Sequence, residues 1–451
     1  MKSIFSLILL GLTTLLNAQL SPTITSWIQN LSGITGSHYV NGNPTPIQDA
    51  ALANVQTVQY SAQWVYVGTR GIPAYPTGPF LDGNPSIAQA QNGYFKMPLN
   101  PSENLGTPTA TTGGNIGIFS NGVALFDYRD GVSWRSATNS LGGGPLGGMG
   151  DNIWNRDAVV AERAGFDCSK GHPAMGNYHH HQNPSAFNLD LSVISNVCDI
   201  YAADGLYVID STQHSPLIGY AYDGFPIYGA YGYKNADGTG GITRIRSSYT
   251  LRSITTRTAY ANGTDVTDGP AVNATYPLGY FREDYEYSAP AQANSEFLDV
   301  HNGRNCVTPE YPDGTYAYFA TVNADWNSAY PYVVGPTFYG VKTASKVQNI
   351  GETVTSYVPE SLTSRSIDES KVVVYPNPAS DFLAVQIPFA MQQAWKAELF
   401  DVGGAKVLST EISEGRTIGY FDLRALYSGN YFLKLSAGNE EIIRQILVQK
   451  D

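Results

Sequence analysis

The chain has 451 residues, a formal net charge of −12 and only 14% charged residues, against 42% hydrophobic ones. This length exceeds one ordinary domain of roughly 100–200 residues and predicts two or three domains. The acidic balance, without any basic stretch interleaved with aromatics, argues against binding to nucleic acids or to anionic membranes. The low charge, with 46 Gly and 31 Tyr, is typical of exported proteins built from many short strands.

The first residues predict the export route. In MKSIFSLILLGLTTLLNAQ, Lys2 precedes an apolar run that ends near a small residue, Ala18. This pattern predicts a signal peptide over residues 1–18. The apolar run is shorter than the ~20 residues that span a bilayer, so no transmembrane anchor is expected. The mature protein should therefore be exported and soluble.

Residues 19–340 are dominated by short strand and turn signals. The stretch VQTVQYSAQWVYVGTRGIP alternates as a strand does, and GTYAYFATV is rich in β-forming residues. Asn121-Gly122 separates two apolar runs and predicts a β-hairpin. One helix is expected over DNIWNRDAVVAERAGFDC, with Asp151 or Asn152 as N-cap and Gly165 as its stop. We therefore expect a large, mainly β domain with few short helices.

The composition changes twice in the last quarter of the chain. Residues 341–370 are poor in aromatics and rich in Ser, Thr and charge, which indicates a linker. Residues 371–451 contain several short apolar stretches separated by turn signals, among them Gly403-Gly404 and Ser428-Gly429. About 80 residues of this pattern predict a small antiparallel β-sandwich.

Three cysteines, Cys168, Cys198 and Cys306, allow one disulfide and one free thiol in an oxidising compartment. Spacing alone does not select the pair. A bridge between Cys168 and Cys198 is favoured, because these two flank the histidine-rich segment and the bridge would restrain it.

The histidines are concentrated in one tenth of the chain. Five of the seven lie between His172 and His214, and three are consecutive in GNYHHHQNP. If this segment is extended, His179 and His181 share one face of the strand while His180 points away. Two imidazoles on one face are a common way to hold a transition metal.

A complete site needs further ligands. We expect His172 and His214 to supply them, and Asp223 to orient one imidazole through a hydrogen bond. Copper or zinc is expected rather than calcium, because the ligands are imidazoles. The alternative is a histidine–tyrosine hydrogen-bond network that binds no ion and only stabilises the core.

No other chemical signature stands out in the sequence. The patterns G-x-S-x-G and H-E-x-x-H do not occur, and neither does an EF-hand loop. An enzymatic activity is therefore left unassigned.

The C-terminal residues contain an ordered set of segments: YPNP from Tyr375, LFDVGGAKV, FDLRALYSGNYFLKL and the terminal RQILVQK. As a set they resemble the type A sorting domain of the type IX secretion system of Bacteroidetes. The resemblance implies recognition by the outer-membrane translocon. It also implies either release from the cell or anchoring at the cell surface once the tail is removed.

Most of the remaining chain carries a second ordered set of segments: GHPAMGNYHHHQNP, HSPLIGYAYDGFPIYG, YEY, HNGRNCVTPEYPDGTYAYF and YPYVVGPTFYG. In this order, and over roughly residues 50–340, they resemble the YHYH domain family. Two positions depart from the family pattern: His180 replaces the second Tyr of the motif, and Ala317 stands where related members often carry His. The resemblance implies a family without a settled activity.

Two functions follow as expectations. The first is an exported protein whose β domain binds copper or zinc through His172, His179, His181 and His214. The second is a non-catalytic adhesion or glycan-binding surface protein, in which the histidines are structural and aromatic loops contact a ligand that the sequence does not identify.

Overall fold

The computed structural model describes residues 20–43, 45–81, 86–184, 209–290, 296–359, 372–387, 394–413, 418–438 and 440–450. The predicted signal peptide, residues 1–18, lies outside these ranges. The described chain is mainly β, as predicted. Its two helices have one turn each: α1 (Pro22–Thr25) and α2 (Ala158–Ala161).

The strands of the larger, N-terminal part are short, and most have three to six residues. They are β1 (Thr35–His38), β2 (Ile47–Leu52), β3 (Val55–Tyr60), β4 (Trp64–Thr69), β5 (Tyr94–Pro98), β6 (Asn115–Phe119), β7 (Ala124–Phe126), β8 (Arg129–Arg135), β9 (Ser140–Gly143), β10 (Asn155–Asp157), β11 (Gly171–Ala174), β12 (Asn177–His180), β13 (Leu217–Ala221), β14 (Pro226–Tyr228), β15 (Tyr231–Tyr233), β16 (Ile242–Arg244), β17 (Tyr249–Leu251), β18 (Tyr285–Tyr287), β19 (Gly303–Cys306), β20 (Thr315–Phe319), β21 (Ser345–Val347) and β22 (Thr355–Tyr357).

Two large sheets organise this part. The first has eight strands in the order β11-β12-β7-β6-β13-β14-β20-β19, with β12–β7 and β14–β20 parallel and the other neighbours antiparallel. The second has five antiparallel strands in the order β21-β5-β4-β3-β22. Apolar residues from both sheets join one core, including Val65, Val67 and Phe95 from the second sheet and Ile118 and Leu125 from the first. Burial of this shared core holds the two sheets together.

Two local predictions need correction. The segment read as a single strand is a hairpin of β3 and β4, because Ser61 turns the chain by accepting hydrogen bonds from the backbone N–H groups of Gln63 and Trp64. The expected helix shrinks to α2: residues 155–157 pair in a sheet instead, and the carboxylate of Asp157 caps the helix at Val159. The Asn121-Gly122 hairpin and the strand in GTYAYFATV are confirmed.

The segment predicted as a linker contains ordered strands. Within residues 341–370, β21 pairs with β5 and β22 pairs with β3, so these short strands form both edges of the five-stranded sheet. Their low aromatic content fits edge positions, where only one side of the strand contacts the sheet. Residues 360–371 lie outside the described part.

The C-terminal residues form a separate small β structure. Its strands are β23 (Val373–Tyr375), β24 (Phe382–Gln386), β25 (Trp395–Asp401), β26 (Lys406–Ile412), β27 (Ile418–Asp422), β28 (Gly429–Ala437) and β29 (Glu440–Val448). They form the sheets β23-β24-β27 and β26-β25-β28-β29, which share a core that includes Leu383, Trp395, Phe421 and Leu433. This arrangement is consistent with the predicted antiparallel sandwich.

Candidate metal centre

A β-hairpin at the edge of the eight-stranded sheet positions the first imidazoles. Strands β11 and β12 are joined by Met175-Gly176, both with positive φ (49° and 84°), as a two-residue primed turn requires. The register places His172 directly opposite His179. His181 follows immediately after β12. The hairpin therefore brings together residues that are seven and nine positions apart in the sequence.

Three of the four predicted ligands converge on one point. The Nε2 atom of His181 lies 3.3 Å from Nε2 of His172 and 3.1 Å from Nε2 of His179. The candidate ligand atoms of all three lie within 4.8 Å of one another. Two nitrogens bound tetrahedrally to one ion at about 2.0–2.1 Å would be about 3.3 Å apart. The spacing therefore matches the separation of imidazoles around a shared first-row transition metal.

Main-chain carbonyls fix the orientation of two of the rings. Nδ1 of His179 contacts the carbonyl oxygen of Asn177 at 2.8 Å, and Nδ1 of His181 contacts that of Asp127 at 2.6 Å. A carbonyl can only accept, so each Nδ1 carries the proton and donates it. In the neutral ring, Nε2 then keeps its lone pair and faces the other imidazoles. Such a hydrogen bond behind the ring is the usual support of a metal-ligating histidine.

Aromatic side chains pack around the three imidazoles. The ring of Phe126 stacks on His179 with centroids 3.8 Å apart, and Phe166 meets His172 edge-on at 4.9 Å. All three histidines are buried, with 9% of the His172 side chain and 3% of that of His181 exposed. The centre is therefore largely shielded from water, and His172 lies on its more accessible side.

A carboxylate that the sequence analysis missed lies beside the imidazoles. Oε2 of Glu162 is 3.3 Å from Nε2 of His172 and 3.4 Å from Nε2 of His181. One fifth of this side chain is exposed to solvent. Glu162 follows the one-turn helix α2, where no periodicity singles out a particular carboxylate. The only hint in the sequence is its position ten residues before His172.

The protonation of the cluster follows from its burial and from this carboxylate. Burial, and then the neighbouring imidazoles, lower the pKa of His179 well below its usual range. Burial also opposes charge on His181, but the hydrogen bond and negative charge of Glu162 outweigh it and raise the pKa of His181. Burial raises the pKa of Glu162, yet the contact with His181 lowers it overall. His179 is therefore neutral near pH 7.

His180 points to the other side of the strand, away from the three rings. Its Nε2 atom lies 2.8 Å from the hydroxyl of Tyr75, and its ring packs edge-on against Phe119 and Tyr178. The side chain is fully buried. Burial lowers the pKa of His180 to about 3, so the ring is neutral.

The fourth predicted ligand, His214, lies elsewhere. It precedes β13, and its ring packs between Tyr228 and Tyr233 at centroid distances of 5.1 and 5.0 Å. Its Nδ1 atom donates to the carbonyl of Ser215, and its buried Nε2 has no hydrogen-bond partner among the described residues. Nearness in sequence was misleading, because the long connection after β12 leads to the other half of the eight-stranded sheet.

Asp223, expected to orient an imidazole, contacts none of the histidines among the described residues. Its buried carboxylate accepts hydrogen bonds from the hydroxyl of Tyr318 (2.6 Å) and from the backbone N–H of Gly340 (2.8 Å). Burial raises its pKa to about 6. Asp223 thus ties the segment around residue 340 to the eight-stranded sheet.

One cysteine restrains the chain near the cluster through a disulfide. Cys168, four residues before His172, is fully buried and disulfide-bonded. Cys306 is a buried free thiol on β19. The predicted partner of Cys168, Cys198, lies outside the described residues.

The different environment of His214 predicts its effect on acid stability. Burial and the nearby Arg304 lower its pKa to about 4, below the ordinary 6.5. The unfolded chain therefore takes up a proton between pH 6.5 and 4 while the folded chain does not, so this ring destabilises the protein as the pH falls. The variant His214→Phe has no titrating ring at this position and should not lose this stability as the pH falls. The difference in unfolding free energy, variant minus wild type, should therefore increase by about 2–3 kcal/mol from pH 7 to pH 4.5.

Urea denaturation of both proteins at the two pH values measures this shift. An identical difference between variant and wild type at pH 7 and at pH 4.5 would contradict the assigned environment of His214.

Comparison with known protein families agrees with the two-part architecture. The family model described as YHYH protein matches residues 94–331, more than half of the chain, and includes the hairpin with His172, His179 and His181. The model for the secretion system C-terminal sorting domain matches residues 373–449. No curated protein matches the chain. Among the described residues, no helix is both long and apolar enough to cross a membrane.

The C-terminal match implies recognition by the type IX secretion machinery and a location outside the cell or at its surface. The hairpin that gathers the three imidazoles carries the sequence Tyr-His-His-His at the motif position. The chain belongs to the YHYH protein family and ends in a type IX C-terminal sorting domain.

Proposed function

We propose that this exported YHYH protein binds one zinc or copper ion through His172, His179, His181 and the carboxylate of Glu162. The observation that carries the proposal is the convergence of three Nε2 atoms: that of His181 lies 3.1 Å from that of His179 and 3.3 Å from that of His172. Imidazole suits both metals, and zinc commonly takes three or four such donors.

The donor set is arranged as a binding site would require. The lone pairs of neighbouring imidazoles repel one another when they face a common point, unless a cation lies between them. The carbonyls of Asn177 and Asp127 hold two rings in that orientation. Glu162 adds negative charge, which lowers the free energy of a bound cation. A bound ion would supply positive charge at the point where the three Nε2 atoms and the carboxylate of Glu162 meet.

The position of Glu162, the fourth donor, indicates whether the site is of the catalytic or the structural kind. Catalytic zinc sites keep a position open for water or substrate, whereas structural sites use four protein ligands. Oε2 of Glu162 lies at similar distances, 3.3 and 3.4 Å, from two of the imidazole nitrogens. This favours a closed site with a binding or stabilising role, so we propose no reaction here.

The alternative is that the histidines are purely structural. In a hydrogen-bond network each Nε2 atom would contact a separate partner, as Nε2 of His180 contacts the hydroxyl of Tyr75. The three Nε2 atoms face one another instead, which favours metal binding over that alternative.

The first prediction concerns stoichiometry. Protein purified without a histidine tag and incubated with Zn²⁺ or Cu²⁺ should retain about one equivalent after desalting. The double variant His179→Ala/His181→Ala should retain none, because it removes two of the three imidazoles. Elemental analysis by mass spectrometry measures the metal content.

The matched control is His214→Ala, which removes a buried histidine of the same domain outside the cluster and should retain one equivalent. Equal metal content in the wild type and the double variant, or no metal in the wild type after loading with either ion, would contradict the proposal.

A second prediction tests whether Glu162 is a metal ligand or only lies beside the imidazoles. Glu162→Gln keeps the size of the side chain but removes its negative charge, so metal affinity should fall roughly 10–100-fold while the stoichiometry stays at one. Competition with a chromophoric chelator measures the affinity. The control is Glu310→Gln, which should leave the metal affinity unchanged. Glu310 lies in the same domain, where its carboxylate accepts a hydrogen bond from the hydroxyl of Tyr228. An unchanged affinity for Glu162→Gln would exclude it as a ligand.

For export, we propose a two-step route in which residues 1–18 direct the chain across the inner membrane and the sorting domain then directs it through the type IX translocon. The proposal is supported by the apolar N-terminal run and by the C-terminal family match. The large β domain is then the cargo. The cargo is then either released from the cell or anchored at its surface once the tail is removed.

Deletion of residues 372–451 tests the second step. The truncated protein should accumulate in the periplasm, because it lacks the domain that the translocon recognises. Immunoblotting of periplasm, surface fraction and medium measures the distribution. The His179→Ala/His181→Ala variant, with an intact sorting domain, should reach the same compartment as the wild type. Unchanged export of the truncated protein would contradict the role of the tail.

A further inference from the structure

The face of the five-stranded sheet that is turned away from the core carries two aromatic side chains, of which Trp64 is partly exposed and Tyr66 is buried, with only 3% of it exposed. Along β4, Val65 and Val67 are buried in the core, so Trp64 and Tyr66 lie on the opposite face. On the neighbouring strand β5, Lys96 is the cross-strand partner of Tyr66. The ammonium group of Lys96 lies 3.9 Å from the centroid of the Trp64 ring. Trp64 itself is only half-buried.

Two solvent-open clefts meet at Trp64, and we call them together the Trp64 cleft. One has a volume of about 240 Å³ and the other of about 310 Å³. Together they fall in the range of roughly 300–1,000 Å³ that is typical of small-molecule sites. A ligand that spans both would pass Trp64 at its middle. The shape therefore suits an elongated molecule with repeating units.

The lining of the Trp64 cleft is polar but charge-balanced. Side-chain amides and hydroxyls come from Gln63, Asn100, Ser102 and Thr343 in the first cleft, and Asn349 adds an amide in the second. These five side chains are exposed and can both donate and accept hydrogen bonds.

The lining contains one cation, Lys96, and one carboxylate, Glu352. The carboxylate of Glu352 accepts a hydrogen bond of 2.5 Å from the hydroxyl of Tyr66. Lys96 lies over the Trp64 ring. The cleft thus has no excess positive charge for a phosphate or an acidic polymer, and no excess negative charge for a metal ion.

A neutral carbohydrate matches this chemistry. The C–H face of a sugar ring packs on an indole, and its hydroxyl groups exchange hydrogen bonds with amides and hydroxyls. We infer that the Trp64 cleft binds a neutral oligosaccharide, with sugar residues on both sides of Trp64.

This site is independent of the proposed metal centre. The imidazoles lie on the hairpin of the eight-stranded sheet, whereas the Trp64 cleft lies on the other sheet. Trp64 and the segment 341–352 also lie outside the residues that match the YHYH family model, 94–331. Lys96, Asn100 and Ser102 lie within that range, so the cleft is shared between the region that matches the family and the strands that flank it.

Affinity electrophoresis of the full exported chain tests the inference. The probes are neutral polysaccharides: hydroxyethylcellulose, xyloglucan, arabinoxylan, galactomannan, laminarin and dextran. At least one should retard the protein. Titration calorimetry with a hexasaccharide of that polymer should give an affinity that Trp64→Ala reduces at least tenfold. Tyr427→Ala removes an aromatic that is 86% exposed on the sorting domain, and it should leave the affinity unchanged.

A second variant distinguishes loss of binding from loss of fold. Asn100→Ala/Asn349→Ala changes two exposed amides, one in each cleft, and should weaken binding at least threefold with an unchanged melting temperature. The His179→Ala/His181→Ala variant should bind the polysaccharide normally, so failure of the metal proposal leaves this result unaffected. Absence of retardation by all six polymers, binding only to anionic polygalacturonate, or full affinity in both cleft variants would overturn the inference.

Discussion

The proposed metal centre depends on two hydrogen bonds from imidazoles to the main chain. The Nδ1–H groups of His179 and His181 donate to the carbonyls of Asn177 and Asp127, and so direct both Nε2 atoms toward His172. The Asp127 carbonyl is within reach because β7 runs parallel to β12 and ends beside it. The orientation of the rings is thus a consequence of strand pairing. Without it, three buried histidines would have no common centre.

What the sequence predicts depends on whether a feature is set by neighbouring residues or by strands that are distant in the chain. The alternation of side chains along a strand is local, and it places His179 and His181 together while sending His180 to the other face. The position of His172 required the register of a hairpin whose turn contains a single glycine. His214 depends on strand order, which sequence spacing does not encode, and Glu162 follows a helix too short to show periodicity. The linker prediction likewise missed edge strands, because their composition resembles that of exposed loops.

The sorting domain, the proposed metal centre and the Trp64 cleft lie on three different parts of the fold. The C-terminal sandwich has its own core, so its surface is available for recognition by the secretion machinery independently of the larger domain. Within the larger domain, the eight-stranded sheet holds the imidazoles and the five-stranded sheet presents the Trp64 cleft. The two sheets share one hydrophobic core, which keeps both surfaces on one unit. A metal at the hairpin would stabilise that unit after export by binding the folded state only.

The most direct test of the central claim is anomalous diffraction from a crystal of the untagged protein grown with Zn²⁺, recorded on both sides of the zinc edge. The account predicts one strong anomalous peak within about 2.0–2.2 Å of the Nε2 atoms of His172, His179 and His181 and of an oxygen of Glu162. Fully occupied zinc at other residues, with the three Nε2 atoms still facing one another and no peak between them, would contradict it.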